Sequence, residues 1–109
     1  MLALAGGVKI FLHAKPTDLR KGFEGLSAII ETVFQEPLIS GAYFVFLNHR
    51  RDRMKVLYWD SDGLALWYKR LEKGSFVKRE GTAQMDRRDF FMLLEGVVPK
   101  RMQKRFKIV

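Results

Sequence analysis

Apolar and polar positions along the chain follow two rhythms, and each predicts a different kind of element. Val8-Lys9-Ile10-Phe11-Leu12-His13 alternates loosely, is rich in β-branched and aromatic residues and stops before Pro16, which predicts a first strand. From Pro16-Thr17-Asp18 the period lengthens, with Leu19, Phe23, Leu26, Ile30 and Val33 recurring at three- and four-residue steps. This spacing predicts an amphipathic helix that opens with Thr17 as a cap and Asp18 at the positive end of the helix dipole, and ends near Gln35. Gly22 and Gly25 fall inside it, where each costs about 1 kcal/mol relative to Ala. Some group, a neighbouring strand in the simplest case, is therefore expected to approach the helix backbone there.

Beyond the turn from Pro37 to Gly41 the short period returns. Tyr43 to Asn48, Arg53 to Asp60 and Leu64 to Leu71 are three β-rich runs, separated by His49-Arg50-Arg51-Asp52 and by Ser61-Asp62-Gly63. Asp-Gly between such runs signals a hairpin. A two- or four-residue loop would put Arg53, Lys55, Leu57, Trp59, Leu64, Leu66, Tyr68 and Arg70 on one face, and Met54, Val56, Tyr58, Ala65, Trp67, Lys69 and Leu71 on the other. A bulged three-residue loop would flip one strand relative to its partner. Both faces are apolar near the turn, so a helix is expected over one and a helix or a partner over the other.

Gly74-Ser75-Phe76-Val77 suits a short fifth strand, and Asp86 to Glu95 a second helix closed by Gly96. The architecture predicted is α+β: one domain, with a small antiparallel β-meander and two segregated helices packed on it. Residues 1–98 form the expected domain and 99–109 a basic C-terminal tail.

Composition sharpens this picture. Of 109 residues, 48% are hydrophobic and 13% aromatic, enough apolar surface to offset the entropy of ordering a single core. No cysteine is present, so disulfides, thiolate nucleophiles and Cys-based zinc sites are excluded. The apolar start Met1 to Gly7 is too short for a signal sequence and no run approaches a membrane span, so a cytoplasmic protein without membrane contact is expected. The net charge is +8, and its distribution is uneven, because basic and acidic residues balance as far as His49 and the whole excess follows it. Clustered cations gain affinity for polyanions by releasing condensed counterions, whereas the alternative is a basic surface that only keeps the protein in solution.

The cations that could meet DNA are Arg20, Lys21, Arg50, Arg51, Arg53, Lys55, Lys69 and Arg70, with Lys100, Arg101, Lys104, Arg105 and Lys107 in the tail. Tyr58, Trp59, Trp67 and Tyr68 lie close to them in sequence and could stack on unpaired bases, although burial in the sheet, favoured for the two Trp, competes with that role. With no recognition-helix or zinc-finger motif, binding should be salt-sensitive and sequence-tolerant. A second reading makes the chain an adaptor that docks a partner or forms a homo-oligomer through the apolar run Phe90 to Leu94, against which stands complete burial of that helix.

Catalytic constellations are weaker. Asp60-Ser61-Asp62-Gly63 begins like a calcium loop but has Leu71 where the twelfth-position Glu belongs, so a hairpin turn fits better. His13 and His49 are far apart and each lies at a strand end. Asp18, Asp60, Asp62 and Glu72 could be assembled into a metal-dependent nuclease only by choosing freely among 12 acids. Asp18 and Arg20 read more simply as a pair that orders a strand-to-helix turn. No cofactor, metal or catalytic residue is expected.

Four blocks in order resemble one family. They are Pro16-Thr17-Asp18-Leu19-Arg20-Lys21-Gly22-Phe23; Phe44-Val45-Phe46 leading to Arg50-Arg51-Asp52-Arg53-Met54-Lys55-Val56-Leu57-Tyr58-Trp59-Asp60 and Gly63; Tyr68-Lys69-Arg70-Leu71-Glu72-Lys73-Gly74-Ser75-Phe76; and Leu93-Leu94-Glu95-Gly96. Together they resemble the TnpB accessory proteins, the second open reading frame products, of IS-sixty-six class insertion sequences, over about Val8 to Gly96. Leu19 stands where that family often has Met, and Val77-Lys78-Arg79 where Pro commonly follows the Phe. The tail lies beyond these blocks. The resemblance implies an accessory to DNA transposition, encoded beside a larger transposase and unrelated to the RNA-guided nucleases that share the TnpB name, and with the residues weighed above it is expected to be non-enzymatic. The expected partners are DNA and that transposase.

Overall fold

In the computed structural model, which describes residues 7–76 and 83–95, the β-rich runs assemble into one five-stranded sheet. Its strands are β1 (Ile10–His13), β2 (Tyr43–Leu47), β3 (Arg53–Asp60), β4 (Gly63–Arg70) and β5 (Ala83–Met85), in the order β4-β3-β2-β1-β5. The expected antiparallel meander is β2-β3-β4. β1 lies parallel to β2, with Ile10 opposite Tyr43 and His13 opposite Phe46. A parallel pair needs a crossover, and the helix α1 (Phe23–Val33) lies in that connection.

The hairpin register pairs Arg53 with Arg70, Lys55 with Tyr68, Leu57 with Leu66 and Asp60 with Gly63. That is the face assignment of a two-residue loop, here Ser61 and Asp62. The left-handed residue is Ser61 (φ 55°), and Gly63 is the first residue of β4.

Because side chains alternate across a strand, the sheet carries a core on each face. On one face Phe44, Phe46 and Leu57 pack with Leu26 and Ile30 of α1 and with Leu19 and Phe34. On the other Ile10, Leu12, Tyr43, Val45, Leu47, Met54 and Val56 pack with Phe76 and with Phe90, Leu93 and Leu94 of α2 (Arg87–Leu94). The helices thus take opposite faces, and every residue of β2, at the centre, is buried. An unbroken apolar run such as Tyr43–Leu47 is what a strand covered on both sides requires. Each fully buried Leu, Ile or Phe contributes about 1.5–3 kcal/mol.

Three local expectations need correction. The first helix begins at Phe23 and not at Thr17, whose amide donates to the Leu47 carbonyl (2.8 Å) and ties this residue to the end of β2, while its hydroxyl donates to the Lys15 carbonyl (3.4 Å). Gly22 is the N-cap, without a side-chain bond. What approaches Gly25 is no strand: a Cβ there would meet the Lys21 side-chain stem at 3.0–3.3 Å. The fifth strand is Ala83–Met85, antiparallel to β1, whereas Gly74 to Phe76 is irregular. Phe76 is buried, and its amide donates to the Arg51 carbonyl at 2.6 Å. Val77 lies outside the described residues.

Candidate nucleic-acid interface

The loop between β2 and β3 carries the densest run of cations, and one neutral side chain shapes it. Asn48 Oδ1 accepts from the backbone amides of Asp52 and Arg53, each at 3.0 Å, while its Nδ2 donates to the Asp52 carboxylate at 2.6 Å. That donation holds the Asp52 carboxyl below its ordinary pKa. An Asn that binds its own backbone a few residues on is a common loop former. Arg51 takes a left-handed conformation (φ 57°), which turns consecutive residues of the loop in different directions.

The result is a division of the cations. Arg50 and Arg53 line an open groove of about 700 Å³ between this loop and the connection from Pro16 to Arg20, together with Arg20, Lys55, His49 and Tyr68. Arg51 instead donates through Nε to the Phe76 carbonyl (3.3 Å) and lines a separate hollow of about 230 Å³ with Leu12, Ala14 and Leu47. Four cations and the carboxylates of Asp18 and Asp52 line the groove, leaving an excess of two positive charges.

Those two carboxylates are already engaged. Asp18 accepts from the Arg20 guanidinium at 2.7–3.1 Å and from its amide at 3.0 Å, which holds the Asp18 carboxyl far below the usual carboxylate range and raises Arg20. This is the turn-ordering pair expected from the sequence, set before the helix. Arg50, Arg53 and Lys55 have no carboxylate within ion-pair distance among the described residues.

Lys55 is only 8% exposed, yet it charges the groove from within the sheet. Its ammonium donates to the Lys21 carbonyl at 2.9 Å and lies 5.0 Å from the centroid of the Tyr68 ring. Arg53 Nη1 donates to the Tyr68 hydroxyl at 3.3 Å. Tyr68 is itself 48% exposed, whereas Tyr58, Trp59 and Trp67 are half-buried, with Tyr58 and Trp67 packed against the core beneath α2.

The other expected cations lie elsewhere. Lys21 contributes its carbonyl to Lys55 and its stem to the surface over Gly25. Lys69 belongs to the opposite face of the sheet and donates to the Leu94 carbonyl at the end of α2 (3.0 Å), a favourable place for a cation. Arg70 pairs with Glu72 at 3.0 Å. Lys100, Arg101, Lys104, Arg105 and Lys107 lie outside the described residues. Asn48 and His49 also line the groove, and the only sequence signal for Asn48 is an Asn at the mouth of a loop.

The acids considered for a nuclease do not converge. Asp60 ends β3 and Asp62 lies in the turn that follows it, Glu72 follows the far end of β4, and Asp18 is tied to Arg20. Among the described residues no three His, Asp or Glu side chains are grouped as metal ligands. None of the described helices is long and apolar enough to cross a membrane.

Fold and groove together define a small basic α+β domain that presents cations around one exposed aromatic ring. The chain belongs to the family described as IS66 Orf2 like protein, which matches residues 8–104 and so reaches past Gly96 into the tail. It is similar to the uncharacterized protein y4jC of Sinorhizobium fredii (strain NBRC 101917 / NGR234), with 31% identity over 96% of this chain and 92% of that one. A second protein of that strain, the uncharacterized y4hO, is 32% identical over 71% of this chain and 67% of its own length. No solved structure matches the chain. Membership associates the protein with transposition of an insertion sequence as an accessory product, in a family that is not a known enzyme class.

Proposed function

We propose that the protein serves transposition without catalysis of its own, by holding DNA through the groove between the connection from Pro16 to Arg20 and the β2–β3 loop. The observation that carries this reading is the convergence of Arg20, Arg50, Arg53 and Lys55 on that groove, three of them without a carboxylate in ion-pair contact among the described residues. Guanidinium groups match phosphate oxygens in a planar, two-pronged geometry, and contacts to phosphate carry no sequence information. Affinity should therefore fall with salt and vary little with sequence.

A gel shift with DNA from the ends of the element, run at low and high salt, tests the proposal. Retention is expected at low salt and should disappear in the double reversal Arg50→Glu with Arg53→Glu, while circular dichroism stays unchanged. Retention by that variant equal to wild type would reject the groove. The adaptor alternative has only the partly exposed Phe91 and Met92 of the Phe90 to Leu94 run to offer, since Phe90, Leu93 and Leu94 are buried in the core. Pull-down of the transposase after nuclease treatment reads that alternative separately.

A further inference from the structure

Among the aromatic residues of the β3–β4 hairpin, Tyr68 alone leaves about half of its surface in water, and it does so inside the groove. Its ring is also held in place. The Arg53 guanidinium binds its hydroxyl at 3.3 Å, and the Lys55 ammonium, anchored 2.9 Å from the Lys21 carbonyl, lies 5.0 Å from the ring centroid. Fixing an exposed tyrosine from two sides removes the entropy that a partner stacking on it would otherwise have to remove.

The charges beside it call for an anion. Lys55 is nine-tenths buried and Arg53 is its neighbour on the same face of β3, and neither has a carboxylate partner among the described residues. A cationic, open hollow with an aromatic wall suits a ligand that has both a flat apolar surface and a negative charge. A nucleotide has both. At about 700 Å³ the hollow is in the range of small-ligand sites, large enough for one nucleotide and open enough for the strand to pass on either side.

Duplex DNA fits less well. Its backbone is convex and its bases are paired, so only the rim cations could reach it, and Tyr68 would meet no base. Nor can α1 enter a major groove, since the helix has no basic residue and exposes Glu24 and Glu31.

We infer that the groove receives an unpaired nucleotide of single-stranded DNA, its base stacked on Tyr68 and its phosphate held by Arg50 and Arg53. This deepens the DNA-binding reading and rests on it. Stacking on an aromatic side chain tolerates any base.

The test uses the full chain and one oligonucleotide carrying 2-aminopurine, offered as a single strand and as a blunt duplex and followed by anisotropy and by emission. Tighter binding of the single strand is expected, with 2-aminopurine emission quenched at saturation. Tyr68→Ala should weaken single-strand binding at least about five-fold, more than it weakens duplex binding, and abolish the quenching. Tyr68→Phe, which keeps the ring and the Lys55 contact, should keep the quenching. Quenching in the wild type needs no variant, so unchanged emission at saturation overturns the inference even if Tyr68→Ala fails to fold. Duplex bound as tightly as single strand overturns it too, while the DNA-binding reading stands. Binding of neither form removes both.

Discussion

Three hydrogen bonds meet at the Asn48 side chain, and all of them fix the backbone that presents Arg50 and Arg53. Replacing it by Ala frees two loop amides and the Asp52 carboxylate together. Each such bond has a net worth of about 1 kcal/mol, so Asn48→Ala is expected to lower unfolding stability by about 1–2 kcal/mol in a urea titration, given that water can reach the loop. DNA affinity measured by anisotropy should fall as well, although no cation has been removed, because the guanidinium groups lose their common orientation. An affinity equal to wild type would mean that Arg50 and Arg53 find phosphate without the loop's order. The sequence places Arg50, Arg51 and Arg53 in one cluster, and only the positive φ at Arg51 separates them. That conformation depends on the ties from Asn48 and Phe76, which local spacing does not reveal.

At the scale of elements, the alternation of β3 and β4 settles which cations can act together. Arg53 and Lys55 share a face with Tyr68, while Lys69 points to the opposite face and closes the end of α2. Lys69→Met should therefore leave DNA affinity within about two-fold of wild type and cost about 1 kcal/mol of stability, from the lost bond to a helix carbonyl. If Lys69→Met weakens binding as much as Arg53→Gln does, the two faces of the sheet are not functionally distinct. This face assignment was legible in the chain because a two-residue turn keeps the register that alternation demands. The start of α1 was less legible. Thr17 and Asp18 have the composition of a helix cap, but a tertiary bond from the Thr17 amide to Leu47 holds this segment against the sheet, and the Asp18 carboxylate is taken by Arg20. β5 was invisible for a related reason, since a three-residue strand owes its existence to the edge of β1. The groove itself was legible only as a list of cations, and of the eight among the described residues the fold turns four elsewhere.

For the molecule as a whole, acid should act on stability in one direction, and the site shares in it. His13 ends β1 against the rings of Phe34 and Phe46, and burial, followed by the charge of Lys15, lowers its pKa from the ordinary 6.5. Asp52 and Asp18 are lowered from 3.8, the first mainly by the Asn48 amide and the second by the Arg20 guanidinium. In all three the unfolded chain binds a proton more readily than the folded one, so stability rises with pH through each transition. His13 contributes fully above about pH 6.5 and progressively less as the pH falls towards its folded value. The carboxylates contribute fully above about pH 3.8 and lose that contribution as the pH falls through their lower folded values. The thermal midpoint is thus expected to decline in two stages on acidification, the first beginning near pH 6.5. Because the Asn48 bond both lowers the Asp52 pKa and orders the loop, Asn48→Ala should shrink the second stage and leave the first intact. His13→Gln should do the reverse. A wild-type midpoint that stays constant from pH 7.5 to 5.5 would place no titrating cost on His13 and remove the first stage.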